Sequence, residues 1–475
     1  MLSKGSLKLA FLAVLVIVLI GLVAGCAAPT AAPPPPAATQ PPAQPAATQP
    51  PAQPAATQPP AQPAATQPPA QAGVKTLKII TLTGPRYEMA TTAMANAYNK
   101  AHSDVKIQVE AFPQEDQIAK VGMDVAAKGN AYDLIWIDYK FIGGYADAGY
   151  LLPMDDYLKA NADWWKDLQG DVYPQVLNMY SYKDHWYGLP NDGNTELFYY
   201  RKDVLDAAGV KLPTTWDETL AAAQKLNNPP KMYGLCGNFA RYWATDFWLS
   251  MFFSKGGVIW DPKTYEPGID SAAGKYSADM MVKLLQYAPK EALQWEEGDV
   301  YSNMGSAGIC AMAPAQWGGA VLTNPTLAKL ADKIAVGRVP AIDAEGKQLI
   351  LPMGGFGLGI NAKTKYPDVA FDFIKYWLSR ENQQYLVQNT GQPARNSALT
   401  DPVNLKIAPY FAAESENLKF AVPRPVVAEY ASAEQIIGNE LDNVFLGKKT
   451  TDQALKDANS QVRDVLVKSG KLVAK

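Results

Sequence analysis

The sequence predicts an α/β fold organised around an open sheet with parallel strands. Three observations carry this. Strand and helix patterns alternate from Leu77 onward, an order that favours helices packed on a sheet. Asp133-Leu134-Ile135-Trp136-Ile137-Asp138 is an apolar run closed by an acid, as expected of a strand buried on both faces. The later chain is dominated by amphipathic helices with explicit start signals.

Taken in order, Leu77 to Leu82 reads as a first strand, bounded by the turn formers Gly84-Pro85. A helical stretch follows from Arg86 to Ala101. Val105 to Glu110 alternates as a second strand, and Ile118 to Ala127 reads as a helix before the 133–138 strand. Ligands bind open α/β sheets beyond the carboxyl ends of the strands. That places Thr83 to Tyr87 and Asp138 to Lys140 at a functional edge. Thr215-Trp216-Asp217-Glu218 is a capping box opening a helix to Leu226, and Thr450 to Gln453 repeats the device. Leu455, Ala458, Val462 and Leu466 recur at helical spacing, as do Val369, Phe373, Ile374 and Trp377.

The amino-terminal part is built differently. Lys4 and Lys8 precede an apolar run from Leu9 to Val23, the pattern of an export signal over residues 1–26. Residues 27–72 carry no charge, and Thr-Gln-Pro-Pro-Ala-Gln-Pro-Ala-Ala repeats from Thr39, Thr48, Thr57 and Thr66. The repeat offers no large apolar side chain to stack, so it is a spacer favouring polyproline II, not a solenoid. Residues 27–74 are therefore expected to be a tether.

Composition removes several classes. The aromatic and aliphatic content is too high for a wholly disordered chain. Without Lys4 and Lys8 the chain has 41 basic and 46 acidic residues and no basic run, so a nucleic-acid partner is not expected. His102 and His185 lie far apart, and Cys236 and Cys310 are the only cysteines after Cys26. No metal cluster, Ser-His-Asp triad or cofactor is expected. The two cysteines allow one disulfide in an oxidising compartment; the simpler expectation is two buried free thiols in strands. No Gly-x-x-x-x-Gly-Lys-Ser/Thr loop is present, so ATP binding is not expected.

Several islands together resemble the extracellular solute-binding proteins of ABC importers, family 1, the carbohydrate group of maltose- and glycerol-phosphate-type receptors. They are Tyr132 to Asp138 with Gly144 to Gly149 and Leu151 to Tyr157; Tyr187 to Pro190 with Phe198 to Lys202 and Pro213 to Glu218; Gly354 to Ile360; Gln392 to Arg395; Pro423 to Pro425; and Ala454 to Ala458. The resemblance implies a two-lobed periplasmic-binding-protein-like fold of type II, its lobes linked by several chain crossings. It assigns residues 75–194 and 309–358 to lobe 1, and 195–308 and 359–475 to lobe 2. Crossings are expected near Asn191 to Leu197, Ser306 to Gly308 and Gly354 to Gly359. Leu22-Val23-Ala24-Gly25-Cys26 resembles the bacterial lipoprotein box, which implies that Cys26 is acylated and that the chain is lipid-anchored on the outer face of the cytoplasmic membrane. The plain alternative is a transmembrane helix over Leu9 to Ala28.

A sugar presents hydroxyls and a flat C–H face, so its receptor needs paired donors and acceptors with aromatic platforms. Asp192 and Asn194 in the polar stretch 191–194 suit that role, with an ordinary turn as the alternative. Arg241, Tyr242 and Trp243 lie in an aromatic run in which Trp248 and Phe252 are expected to pack the core. Trp317 resembles a cleft tryptophan of relatives, although Ala315-Gln316 stands where relatives usually carry Asn-Gly. Gly355 and Phe356 could let backbone and ring approach a ligand; Phe356 stands where sugar binders commonly have tryptophan. Arg86, Glu115, Asp138 and Tyr430 complete the candidates. The resemblance implies a monomer that captures an extracellular oligosaccharide or polyol and delivers it to ABC permease membrane subunits. The alternatives are a secreted carbohydrate-active hydrolase and an adhesive lipoprotein. Cys26→Ser is expected to release the protein from membranes on fractionation; persistent membrane association would favour the transmembrane helix.

Overall fold

The computed structural model describes residues 73–317, 319, 321–343 and 350–473, with Arg241 and Tyr242 described by their backbone alone. Cys26, the export signal and the repeat lie outside the described residues. Strands β1 (Lys75–Leu82), β2 (Val105–Phe112) and β3 (Leu134–Asp138) are joined by helices α1 (Ala90–Ala101) and α2 (Gln114–Ala126). A short β4 (Leu189–Pro190) leads into β5 (Asn194–Arg201). Then come α3 (Trp216–Leu226), β6 (Tyr233–Leu235), α4 (Arg241–Ser254), α5 (Ala272–Leu285), α6 (Glu297–Ser302), β7 (Cys310–Trp317), β8 (Ile334–Gly337), β9 (Leu351–Gly354) and β10 (Phe356–Ile360). The chain continues through α7 (Pro367–Trp377), α8 (Arg380–Gln388), α9 (Phe411–Leu418), β11 (Ala421–Pro423), α10 (Tyr430–Phe445) and α11 (Thr451–Lys468).

These strands build two sheets, one per lobe. The first has the order β2-β1-β3-β10-β4, with β1 parallel to β2 and β3, and β10 antiparallel to both its neighbours. Leu77, Ile79, Leu134, Ile135 and Ile137 are essentially inaccessible, as the continuous apolar runs require. Helices α7 and α8 pack against α1, and α7 also against β10. The second sheet has the order β11-β9-β5-β7-β6, with β8 also paired to β5. Helices α4, α5, α10 and α11 pack together beside it. The helix signals correspond to packing: Phe373, Ile374 and Trp377 are buried in α7, and Leu455, Ala458, Val462 and Leu466 in α11. Trp248 and Phe252 are fully buried and stacked at 4.0 Å. The Thr215–Glu218 capping box is complete. In its counterpart Thr450 caps Gln453, but the Gln453 amide bonds Asp457 instead of reaching back.

The strand pairing corrects the lobe boundaries. Residues 309–354 were expected in the first lobe, yet β7 pairs with β5 and β6, and β9 with β5, in the second sheet. No crossing occurs at Ser306 to Gly308. The chain passes from the first sheet to the second between Pro190 and Asn194, returns between Gly354 and Phe356, and rejoins the second sheet at β11. Residues 361–399 accordingly belong with the first sheet. Local pattern marks a strand but not its partner, which is why pairing between residues more than a hundred positions apart was misassigned.

Cys236 and Cys310 form a disulfide with a Cα–Cα distance of 5.5 Å, in place of the expected free thiols. The register explains it. Strand β6 lies parallel to β7 with Tyr233 opposite Cys310, and the Cys236 N–H donates to the Met312 carbonyl at 2.8 Å. Closing a loop of 74 residues restricts the unfolded chain by about 4 kcal/mol in the entropic account. Among the described residues no helix is long and apolar enough to cross a membrane. Replacing both cysteines by serine is expected to cost about 2–4 kcal/mol and lower the melting temperature by several degrees in calorimetry. An unchanged melting temperature would show the bridge to be without consequence.

Candidate functional site

The carboxyl-end edge of the first sheet gathers Arg86 after β1, Gln114 after β2, Asp138 at the end of β3 and Phe356 at the start of β10, directly opposite Asp138. Phe356, Tyr87 and Trp136 form an aromatic group, with Tyr87 edge-on to Phe356 at 5.5 Å and to Trp136 at 5.6 Å. The second sheet presents Asn194 at the start of β5, paired with Gly354, then Trp317 at the end of β7 and Arg424 just after β11. Trp243 and Asp246 join them from α4, and Glu297 from α6. The two edges enclose a cavity of about 40 Å³.

Two polar assemblies shape it. Asp192, fully buried, accepts from Arg86 Nη2 at 2.6 Å with one oxygen and from the Phe356 N–H at 2.8 Å with the other. Burial alone would lower the Arg86 pKa, but Asp192, with smaller contributions from Tyr87 and Tyr410, outweighs it and holds the guanidinium above its ordinary value. The second assembly joins the lobes. Lys140 Nζ lies 2.6 Å from Glu434 and 3.4 Å from Asp138. Arg424 Nη1 donates to Asp246 at 2.8 Å and to Glu434 at 2.9 Å, and its N–H and Nε donate to the Tyr139 hydroxyl at 2.9 Å. That hydroxyl donates to the Met353 carbonyl at 2.8 Å.

Trp317 is fixed from three sides. Its indole N–H donates to Asp246 at 3.2 Å, the Arg424 guanidinium sits 5.5 Å from its ring, and Tyr301 donates to its carbonyl at 2.9 Å. Gly354 makes room for it: a Cβ there would fall 2.8 Å from the indole and 2.5 Å from the Asn194 side chain. A Cβ at Gly355 would come within 3.0 Å of the Asp192 carbonyl. Burial raises the pKa of Asp246 to about 6, against the pull of Arg424. It also raises Glu297. The Tyr301 hydroxyl, which donates to Glu297, opposes that rise.

Of the sequence-predicted residues, Arg86, Asp138, Asn194, Trp243, Trp317, Gly355 and Phe356 converge on the cavity. Asp192 lies behind it as the partner of Arg86. Glu115 does not reach it; its neighbour Gln114 lines the cavity, while Glu115 is exposed on an outer groove. Tyr430 is completely buried behind Arg424, 6.0 Å from its guanidinium, where its ring packs near Trp260. The side chains of Arg241 and Tyr242 lie outside the described structure. Tyr87, Gln114, Lys140, Asp246, Glu297, Gly354 and Arg424 were missed as lining residues. Tyr87 and Lys140 carried a signal, since both sit in segments predicted at the strand edge, and Arg424 lies within a family-like island. Asp246 and Glu297, inside helices, carried none.

The fold and this cleft define a solute receptor. The chain belongs to the bacterial extracellular solute-binding protein family, whose pattern matches residues 86–384. It is 23% identical over 424 residues to the mannitol-binding protein of Pseudomonas aeruginosa, covering 84% of this chain and 94% of that protein. It is 25% identical over 413 residues to a probable amino-acid ABC transporter periplasmic-binding protein of Sinorhizobium fredii, covering 83% and 90%. Its fold matches the ABC transporter solute-binding protein of Agrobacterium radiobacter K84 in complex with ribitol, with a TM-score of 0.74, 24% identity, and 83% and 99% of the two chains covered.

Glu414, fully buried on α9, receives the Thr195 N–H at 3.4 Å, and burial raises its pKa to about 8, against the field of Arg86. Below its ordinary value of 4.5 the carboxyl is protonated whether the chain is folded or not. Between pH 4.5 and about 8 only the unfolded chain releases the proton, so this group makes stability fall as pH rises. The slope is at most about 1.4 kcal/mol per pH unit. Glu414→Gln is expected to stabilise the protein increasingly from pH 5 to pH 8 and negligibly at pH 4, as read by melting temperature. A gain independent of pH would contradict this assignment.

Proposed function

We propose that this chain is the substrate-binding protein of an ABC importer, and that it captures a carbohydrate or polyol between its lobes, which must part to widen the 40 Å³ cavity for it. The observation that carries this reading is the pairing of hydrogen-bonding groups with ring faces. Asp138, Asn194, Asp246 and Arg424 surround the same space as Trp317, Trp243 and Phe356. Acids accept from hydroxyls, the guanidinium and amide donate, and rings cover the C–H face. An apolar solute would leave these buried groups unpaired and be rejected. The relatives that bind mannitol and ribitol support the same class of ligand.

In this reading the protein performs no chemistry on its ligand. It closes around the solute and presents the closed form to the permease subunits. It acts as a monomer, held at the outer face of the membrane by acylated Cys26 and lifted by the Pro-rich spacer. The matching relatives are binding proteins, which supports a receptor over a hydrolase.

The test is a thermal-shift screen over sugars, polyols and amino acids, followed by calorimetric titration. A polyol or sugar at a hundred times its Kd should add about 2.7 kcal/mol of stability. Stabilisation by amino acids alone would overturn the proposal, as would turnover in a glycosidase panel. Trp317→Ala is expected to lose at least tenfold in affinity. Because the ring is only 7% exposed and held by Asp246 and Arg424, the variant should also lose about 3 kcal/mol of stability and remain folded. Intact affinity in a folded Trp317→Ala protein would remove the ring from the binding site.

A further inference from the structure

Beside the inner cavity lies an outer groove of about 630 Å³ between α2 and α10. The two spaces share one wall residue, Lys140. Its ammonium stands between a carboxylate that lines the inner cavity, Asp138 at 3.4 Å, and one that lines the outer groove, Glu434 at 2.6 Å. Adjacent residues of α2 divide in the same way, Gln114 facing inward and Glu115 outward. Lys140 and Glu434 are both about 5% exposed or less.

The bridge is anchored at both ends. The Lys140 N–H donates to Asp138 at 3.3 Å, and the second Glu434 oxygen accepts from Arg424 at 2.9 Å. Arg424 is itself held by Asp246 and Tyr139. The pair spans the two lobes, so it forms as they meet; a ligand projecting through this wall would hold the two charges apart in the closed form, at the cost of an uncompensated buried charge.

We propose that the Lys140–Glu434 bridge is a partition that limits the ligand to one sugar unit in length, a monosaccharide or a linear polyol. It stops a glycosidic chain from extending out of the inner cavity into the groove. This rests on the carbohydrate reading above and narrows it: the groove has room for further sugar rings, but the bridge closes the way to it. Lys140 and Glu434 are thus specificity-determining residues.

The experiment is a calorimetric length series on the full chain, with ribitol, mannitol and common hexoses and pentoses as short probes and their di- and trisaccharides, maltose and maltotriose among them, as long ones. At least one short probe should bind, and every long probe should bind at least a hundredfold more weakly. In Lys140→Ala/Glu434→Ala, which removes both charges together, the affinity for a disaccharide containing the accepted unit should gain at least tenfold relative to that for the short probe measured on the same variant. Equal binding of short and long probes by the unaltered protein would overturn the partition while leaving the carbohydrate reading intact. Binding of no probe of either length would overturn the carbohydrate reading, and the partition with it. A folded double variant without the gain would show that the bridge does not set the length. The length series on the unaltered chain decides the matter even if the variant does not fold.

Discussion

The crossing between the lobes is tied to the first sheet by the two oxygens of Asp192. One binds Arg86, in the turn after the first strand; the other binds the N–H of Phe356, the first residue of the strand that completes the first sheet. Asp192 itself lies in the three-residue passage between the sheets. A single buried carboxylate therefore ties a cavity-lining arginine, a cavity-lining ring and the first crossing into one unit. Charge-assisted bonds of this kind are short and directional, which suits a task of positioning. Their net contribution to stability is small against the cost of burying the charges. What they provide is a fixed relation among three elements distant in sequence.

The inter-lobe network extends the same principle. Arg424 and Lys140 face Asp138, Asp246 and Glu434, so acids outnumber cations among these groups. Burial lifts Asp246 to about 6, so it takes up a proton at milder acidity than an ordinary aspartate. An interior with more acceptors than fixed cations suits a neutral, hydroxyl-bearing solute, whose O–H groups supply the missing donors. The Tyr139 hydroxyl links this network to the backbone of β9 just before the return crossing.

Much of the architecture was legible because it is written locally. The apolar run 133–138, the Thr215 box and the spacing of Leu455, Ala458, Val462 and Leu466 each follow from near neighbours, and each appears as an element or a buried face. The strand-edge rule placed Arg86 and Asp138 at the cavity from the first sheet alone. What failed was long-range. The partnership of β7 with β5 depends on residues more than a hundred positions apart, so 309–354 was assigned to the wrong lobe. The disulfide was undervalued for the same reason, since only the β6–β7 register shows that the cysteines are neighbours. Tyr430 and Arg424 exchange roles: the residue with the better stacking face is buried as backing, and the guanidinium lines the cavity. Asp246 and Glu297 look like ordinary helix surface until α4 and α6 are docked.

The two passages at the hinge run side by side. Asn194 pairs with Gly354, Pro190 with Gly357, and the Asn191 N–H donates to the Phe356 carbonyl at 2.8 Å. The lobes are thus connected there by a two-ply ribbon, not by two independent threads. Such a ribbon bends readily across its flat face, but sliding one ply past the other would break its hydrogen bonds. At these two passages bending is left open and sliding is opposed. A receptor so connected resists slip between its lobes at this point while leaving them free to bend, the third passage before β11 lying outside the ribbon.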